Sequence, residues 1–126
     1  MKFWIFMLVS VLLIPLTMLI FGKLFINSAP RTINSLFGYR TRMSMLNQET
    51  WVFAHKYMGQ IWFRLGRVLL PISILAMLPL VGKDENAIGN IGLILALVQL
   101  IALLVPIYFT EKALRIHFDS KGNPRS

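Results

Sequence analysis

Two histidines, five carboxylates and no cysteine make up the chain's groups for metal binding and proton transfer. His55 and His117 lie 62 residues apart, outside any HExxH or HxxxH pair, so the spacing offers no metal site. His55 reads instead as an interfacial helix residue satisfied by headgroups or a neighbouring helix. Without cysteine there is no disulfide, thiol nucleophile or thiolate ligand. The acids Glu49, Asp84, Glu85, Glu111 and Asp119 all fall outside the long apolar runs, where burial would raise a carboxyl pKa. Asp84 and Glu85 read as turn residues. No GxSxG, Walker A or GxGxxG stretch occurs. These readings predict a protein that is not an enzyme and needs no cofactor or metal.

Two polar features remain. The first is the stretch Asn34-Ser35-Leu36-Phe37-Gly38-Tyr39-Arg40-Thr41, followed by Ser44, Asn47, Glu49 and Trp51. Gly38 permits a turn or close backbone approach. Tyr39 offers an amphipathic ring, and Arg40 a five-donor fork able to reach Glu49, a lipid phosphate or helix-end carbonyls. A clamp tying loop to helix and a partner-binding surface are both compatible with Arg40. Asn47 is a good helix N-cap, with Glu49 where the helix dipole favours an anion. The second feature is Gln99, the polar residue nearest the centre of an apolar run. With Gly92, Ala96 and Pro106 it can form a small or polar stripe, which fits either a helix-packing hydrogen bond or the wall of a ligand cleft.

The elements that hold these residues follow from hydropathy. Of the 126 residues 56% are apolar and 14% charged, against roughly 25% charged in a typical soluble domain. Three runs free of Asp, Glu, Lys and Arg cover Phe3 to Phe21, Val68 to Val81 and Ile88 to Thr110. A membrane helix needs about 20 such residues. The predicted fold is therefore all-α, a single membrane domain over 1–126 with spans near 3–22, 65–82 and 88–110. The first run is too long for the core of a cleaved signal peptide and is read as a retained span.

Between spans 1 and 2, segment 27–64 divides into a loop with turns and an amphipathic helix. Lys56, Gln60, Arg64 and Arg67 share one face, while Trp51, His55, Met58, Trp62 and Leu65 line another. Such a helix should lie among headgroups or against another helix as it leads into span 2, with Pro71 able to bend the chain between them. In span 1, Pro15 cannot donate to the carbonyl of Val11, and Ser10 or Thr17 is available for local hydrogen bonds. The tail ends in Gly122, Asn123 and Pro124 and is expected to fray.

Counting cations orients the chain. Segment 23–67 carries Lys23, Arg31, Arg40, Arg42, Lys56, Arg64 and Arg67, and the tail Lys112, Arg115, Lys121 and Arg125. Lys2 and Lys83 are alone at the other end. The positive-inside rule then predicts a multi-pass membrane protein with its N-terminus outside and its C-terminus cytoplasmic. The net charge of +8 is assigned to this retention and to membrane lipid, with no direct nucleic-acid partner.

The stretch from Asn34 to Ala54 resembles the SdpI/YfhL family of small bacterial membrane proteins, whose core is a GYRT-like loop, a Ser/Asn-rich cap and a helix opening with Glu and Trp. The resemblance implies roles for Asn34, Gly38, Tyr39, Arg40, Thr41, Ser44, Asn47, Glu49 and Trp51 as motif or partner-binding residues. It also implies immunity to a membrane-active antimicrobial peptide and signalling at the membrane, with a toxin peptide and a cytoplasmic transcriptional repressor as partners. Two other readings fit the residues. One is a small transport or lipid-handling component using the Gln99 stripe in a homo-oligomer; the other is a headgroup-acting enzyme using Arg40, Glu49 and His55.

Overall fold

The computed structural model describes residues 1–28, 33 and 38–125. Asn34 and Arg31 lie outside the described residues. Three helices form an up-down-up bundle: α1 (Lys2–Ser28), α2 (Gln48–Met77) and α3 (Glu85–His117), with a 3-10 turn at Leu78–Leu80 between α2 and α3. Each is long and apolar enough to cross a membrane. At 1.5 Å per residue they run about 40, 45 and 50 Å, longer than a hydrocarbon core of about 30 Å. All three therefore extend beyond the spans expected from hydropathy.

α2 departs most from expectation. The amphipathic segment and span 2 are one helix, which passes through Pro71 without a break. Its polar face, Lys56, Gln60, Arg64 and Arg67, is exposed, while Trp51, His55 and Met58 are buried. The apolar face thus packs on protein, the second of the two placements allowed for it. The helix begins where Asn47 caps it. Asn47 Oδ1 accepts from the Thr50 amide at 2.9 Å, and the Thr50 hydroxyl oxygen accepts from the Asn47 amide at 3.0 Å. At the far end Trp4 Nε1 donates to the carbonyl of Met77 at 2.8 Å, satisfying an acceptor in the last turn of α2.

α1 and α2 share the largest interface, and three glycines set its closeness. A Cβ on Gly59 would stand 2.6 Å from the Gly22 carbonyl oxygen, and one on Gly22 would stand 2.9 Å from that of Gly59. Seven residues on, Gly66 takes the side chain of Leu19 where its own Cβ would be. This is the small-residue packing of membrane helices, where close backbone approach replaces the hydrophobic drive available in water. The Gly92–Ala96 pair expected to do this on α3 contributes through Gly92, which is buried against Met7 of α1.

The tail is ordered through Arg125, contrary to the expected fraying. Asp119 Oδ1 accepts from the amides of Lys121 and Asn123, both at 2.9 Å, closing a turn in which Gly122 adopts φ +86°. Phe118 then pairs with Pro124. These amide bonds stabilise the Asp119 carboxylate and lower its pKa. Arg125 is fixed rather than free: its Nε donates to the carbonyls of Arg115 at 2.9 Å and Phe118 at 3.0 Å, capping the end of α3.

Candidate functional site

The polar residues gather in two layers. The first lies at the end of the bundle where the loop and the tail meet. Gly38 has φ +115°, and a Cβ there would stand 2.6 Å from His55 Nε2, so both conformation and space require glycine. Its turn presents the Tyr39 amide to His55 Nε2 at 2.9 Å. A backbone N–H can only donate, so Nε2 accepts, and the proton sits on Nδ1, 2.8 Å from the Trp51 carbonyl oxygen. Both ring nitrogens are thus engaged and the imidazole is neutral. It is fully buried among aromatic rings, with centroids 4.3 Å from Trp51, 4.9 Å from Phe25 and 6.5 Å from Tyr39.

From the same turn the Tyr39 ring reaches across to α3, where its hydroxyl donates to Glu111 Oε1 at 3.1 Å. Burial, then the negative charge of Glu111, then this bond push the phenol pKa upward, so Tyr39 stays protonated. Ser44 closes the loop behind it. Its hydroxyl lies 3.0 Å from the carbonyls of Tyr39 and Thr41 and 2.8 Å from the Thr41 amide, and its own amide donates to the Thr41 hydroxyl at 3.2 Å. Thr50 lies 3.1 Å from the Ser44 carbonyl, and Asn47 Nδ2 donates to the Gly122 carbonyl at 2.7 Å, which draws in the tail.

Of the sequence-assigned motif residues, Gly38, Tyr39, Thr41, Ser44, Asn47 and Trp51 come together in this knot, and Asn34 lies outside the described residues. Arg40 and Glu49 are exposed on its surface. Tyr39, Ser44 and Asn47 each tie the loop to the helices or the tail. Sequence reasoning missed His55 as its buried anchor, although its place four residues after Trp51 on the apolar face was a usable signal. Thr50 was readable as the partner of Asn47 three positions on. Glu111 and Gly122 had no local signal, being 72 and 75 residues from their partners.

The second layer is near the middle of the bundle. Gln99 is 1% exposed, and its Nε2 lies 2.7 Å from both the Val11 carbonyl and the Ser73 hydroxyl. That carbonyl is the one Pro15 leaves without a donor. The local hydroxyls act elsewhere: Ser10 on Phe6 at 2.8 Å and Thr17 on Leu13 at 2.7 Å. Gln99 therefore supplies from α3 the bond missing in α1, and Ser73, which itself donates to Leu69 at 2.7 Å, ties in α2. This geometry is the helix-packing bond of the two readings open for Gln99. No buried polar side-chain atom lacks a partner among the described residues. Nor is any group of three or more His, Asp or Glu placed there to hold a metal.

Residues 31–110 match the family model of the SdpI/YfhL protein family. A curated relative, "Uncharacterized protein YfhL" of Bacillus subtilis (strain 168), is 36% identical over 110 residues, covering 86% of this chain and 89% of that protein. No solved structure matches. A match over more than half the chain, running through the loop that builds the knot, together with this relative establishes that the chain belongs to the SdpI/YfhL family.

Proposed function

We propose that this protein is a non-enzymatic SdpI-like membrane protein that confers immunity to a membrane-active peptide, signals at the membrane, or does both. The observation that carries the reading is the family match over 31–110, which includes the loop–helix knot. Two features support it. Both ring nitrogens of His55 are engaged by the chain itself, so that ring is not poised for proton transfer. In addition, α3 exposes an apolar face with Leu93, Leu97, Ile101, Leu104 and Tyr108, which a peptide dissolved in the bilayer could meet. On this reading the loop-and-tail end is cytoplasmic, where a transcriptional repressor would dock, and a homo-oligomer would use the exposed apolar faces.

Expression in a sensitive bacterium should protect against a membrane-active peptide of its own or a related strain while leaving that peptide intact. Loss of peptide from the medium in proportion to protein level would show turnover and refute the non-enzymatic reading. Orientation is tested separately by single cysteines at Arg42 and Asn86, both exposed positions at opposite ends of the bundle. An impermeant reagent should label only Asn86→Cys in intact cells. Labelling of Arg42→Cys instead would reverse the assignment.

A further inference from the structure

A pocket of about 310 Å³ opens at the loop end, beside the Tyr39–Ser44 part of the knot, between the loop, the end of α3 and the tail hairpin. Arg42 from the loop, Arg115 from α3 and Arg125 from the tail line it, with Met43 and Phe118 as its apolar wall. The hairpin sets this up, because the bonds from Arg125 Nε to the carbonyls of Arg115 and Phe118 hold that guanidinium at the pocket. Asp119, the acid in the lining, has Oδ1 taken up by two backbone amides. Three guanidiniums against one such carboxylate leave the pocket electropositive and rich in N–H donors.

Depth identifies the occupant. The uncharged run of α3 ends at Thr110, and five residues later Arg115 stands about 7.5 Å further along the axis. The headgroup layer is about 5–8 Å thick on each face of a bilayer. Arg115 thus reaches the level of the lipid phosphates. The geometry points to a binding site in which Arg42, Arg115 and Arg125 hold the phosphate of an anionic phospholipid, with Met43 and Phe118 against its glycerol end. Guanidinium forks match phosphate oxygens in pairs, and the apolar wall of Met43 and Phe118 suits a lipid rather than a bare phosphate ion. The assignment is independent of peptide immunity.

The test uses the full chain in neutral detergent micelles, titrated with short-chain phosphatidylglycerol and followed by thermal unfolding. Parallel titrations use short-chain phosphatidylcholine and glycerol phosphate. Phosphatidylglycerol should raise the melting temperature saturably, with the other two much weaker. Arg42→Gln and Arg115→Gln should each raise the half-saturating concentration about fivefold, the effect of one cation at an anionic surface. Arg64→Gln, an exposed cation of α2 outside the pocket, should leave it unchanged. Arg42→Lys and Arg115→Lys keep the charge, and lipid-free melting of every variant separates folding from binding. Equal half-saturation in wild type and both glutamine variants would overturn the site. Glycerol phosphate acting at the same concentration as the lipid would overturn the lipid assignment in favour of a soluble ligand.

Discussion

The bond between Gln99 and the Val11 carbonyl can be tested by asking whether the proline that creates the vacancy also controls the value of the glutamine. Gln99→Leu keeps most of the side-chain bulk but removes two contacts of 2.7 Å. Ser73 keeps its own bond to Leu69, whereas Val11 loses the donor that replaced the amide Pro15 lacks. Interhelical bonds in membranes are worth about 0.6 kcal/mol on average and up to about 1.7 kcal/mol. Stranding a buried acceptor costs about 1–3 kcal/mol. Gln99→Leu should therefore destabilise the bundle by about 1.5–3 kcal/mol. In a Pro15→Ala background the new amide can close the α1 bond to Val11, so the same change should cost only the Ser73 contact, about 1 kcal/mol or less. The loss of the proline ring is common to both halves of the cycle and cancels. Unfolding of the four proteins in mixed micelles by titration with sodium dodecyl sulfate, read by tryptophan fluorescence, gives the coupling energy. A coupling of about 1 kcal/mol is expected. Additivity within about 0.3 kcal/mol would refute the claim that Gln99 replaces the missing helical bond.

Three further outcomes follow from the packing and the knot. Gly59→Ala drives a methyl onto the Gly22 carbonyl oxygen and should destabilise by about 2 kcal/mol, while Gly89→Ala, with nothing nearer than 3.9 Å, should be neutral or stabilising by up to about 1 kcal/mol in the same melting assay. Tyr39→Phe removes a bond to a carboxylate and should cost about 1–2 kcal/mol at neutral pH. Because the folded-state phenol pKa lies above its unfolded value of 10.0, Tyr39 contributes fully below pH 10 and loses its contribution as pH rises beyond it. Melting between pH 8 and 11 should therefore fall more steeply above pH 10 in wild type than in Tyr39→Phe. His55→Ala should cost about 2–4 kcal/mol and speed proteolysis of the loop, because the Tyr39 amide loses its acceptor and the aromatic cage its centre; a loop as resistant as in wild type would count against His55 as the anchor.

Span number, the cap at Asn47 and the buried face of α2 were legible because each depends on residues close in sequence. An uncharged apolar run, an amide acceptor before a helix and a three-to-four spacing are local facts. The continuity of α2 was hidden because Pro71 and a change of composition both imitate a boundary, although a proline within a packed membrane helix loses only one bond. The α1–α2 seam was hidden for a related reason. A glycine inside a helix reads as a weak point until the carbonyl approaching it, here that of Gly22 on Gly59, is known. The tail's Gly122-Asn123-Pro124 suited fraying equally well, and Asp119 decided the matter by binding two amides at once. Tyr39–Glu111 and Asn47–Gly122 join opposite ends of the chain, so nothing in either neighbourhood foretold them.

The two polar layers constrain the same helix at different depths. On α3, Gln99 and Glu111 are 12 residues apart, about 18 Å along the axis. Gln99 grips α1 and α2 near the middle of the bundle, and Glu111 grips the loop turn that His55 anchors to α2. With the bond from Trp62 Nε1 to the Leu103 carbonyl at 3.2 Å between them, these points hold α3 in both height and rotation. The α1–α2 pair is held differently, by backbones in contact through glycine and by few polar groups. A sliding of α1 on α2 would bring the Gly22 and Gly59 backbones into collision, while a rotation of α3 breaks the Tyr39–Glu111 bond and also unpacks Leu114 and Phe118 from Tyr39, Ala54 and Met58. The loop end of α3, where Tyr39, Glu111 and the tail converge, is therefore held by polar bonds and by apolar packing together.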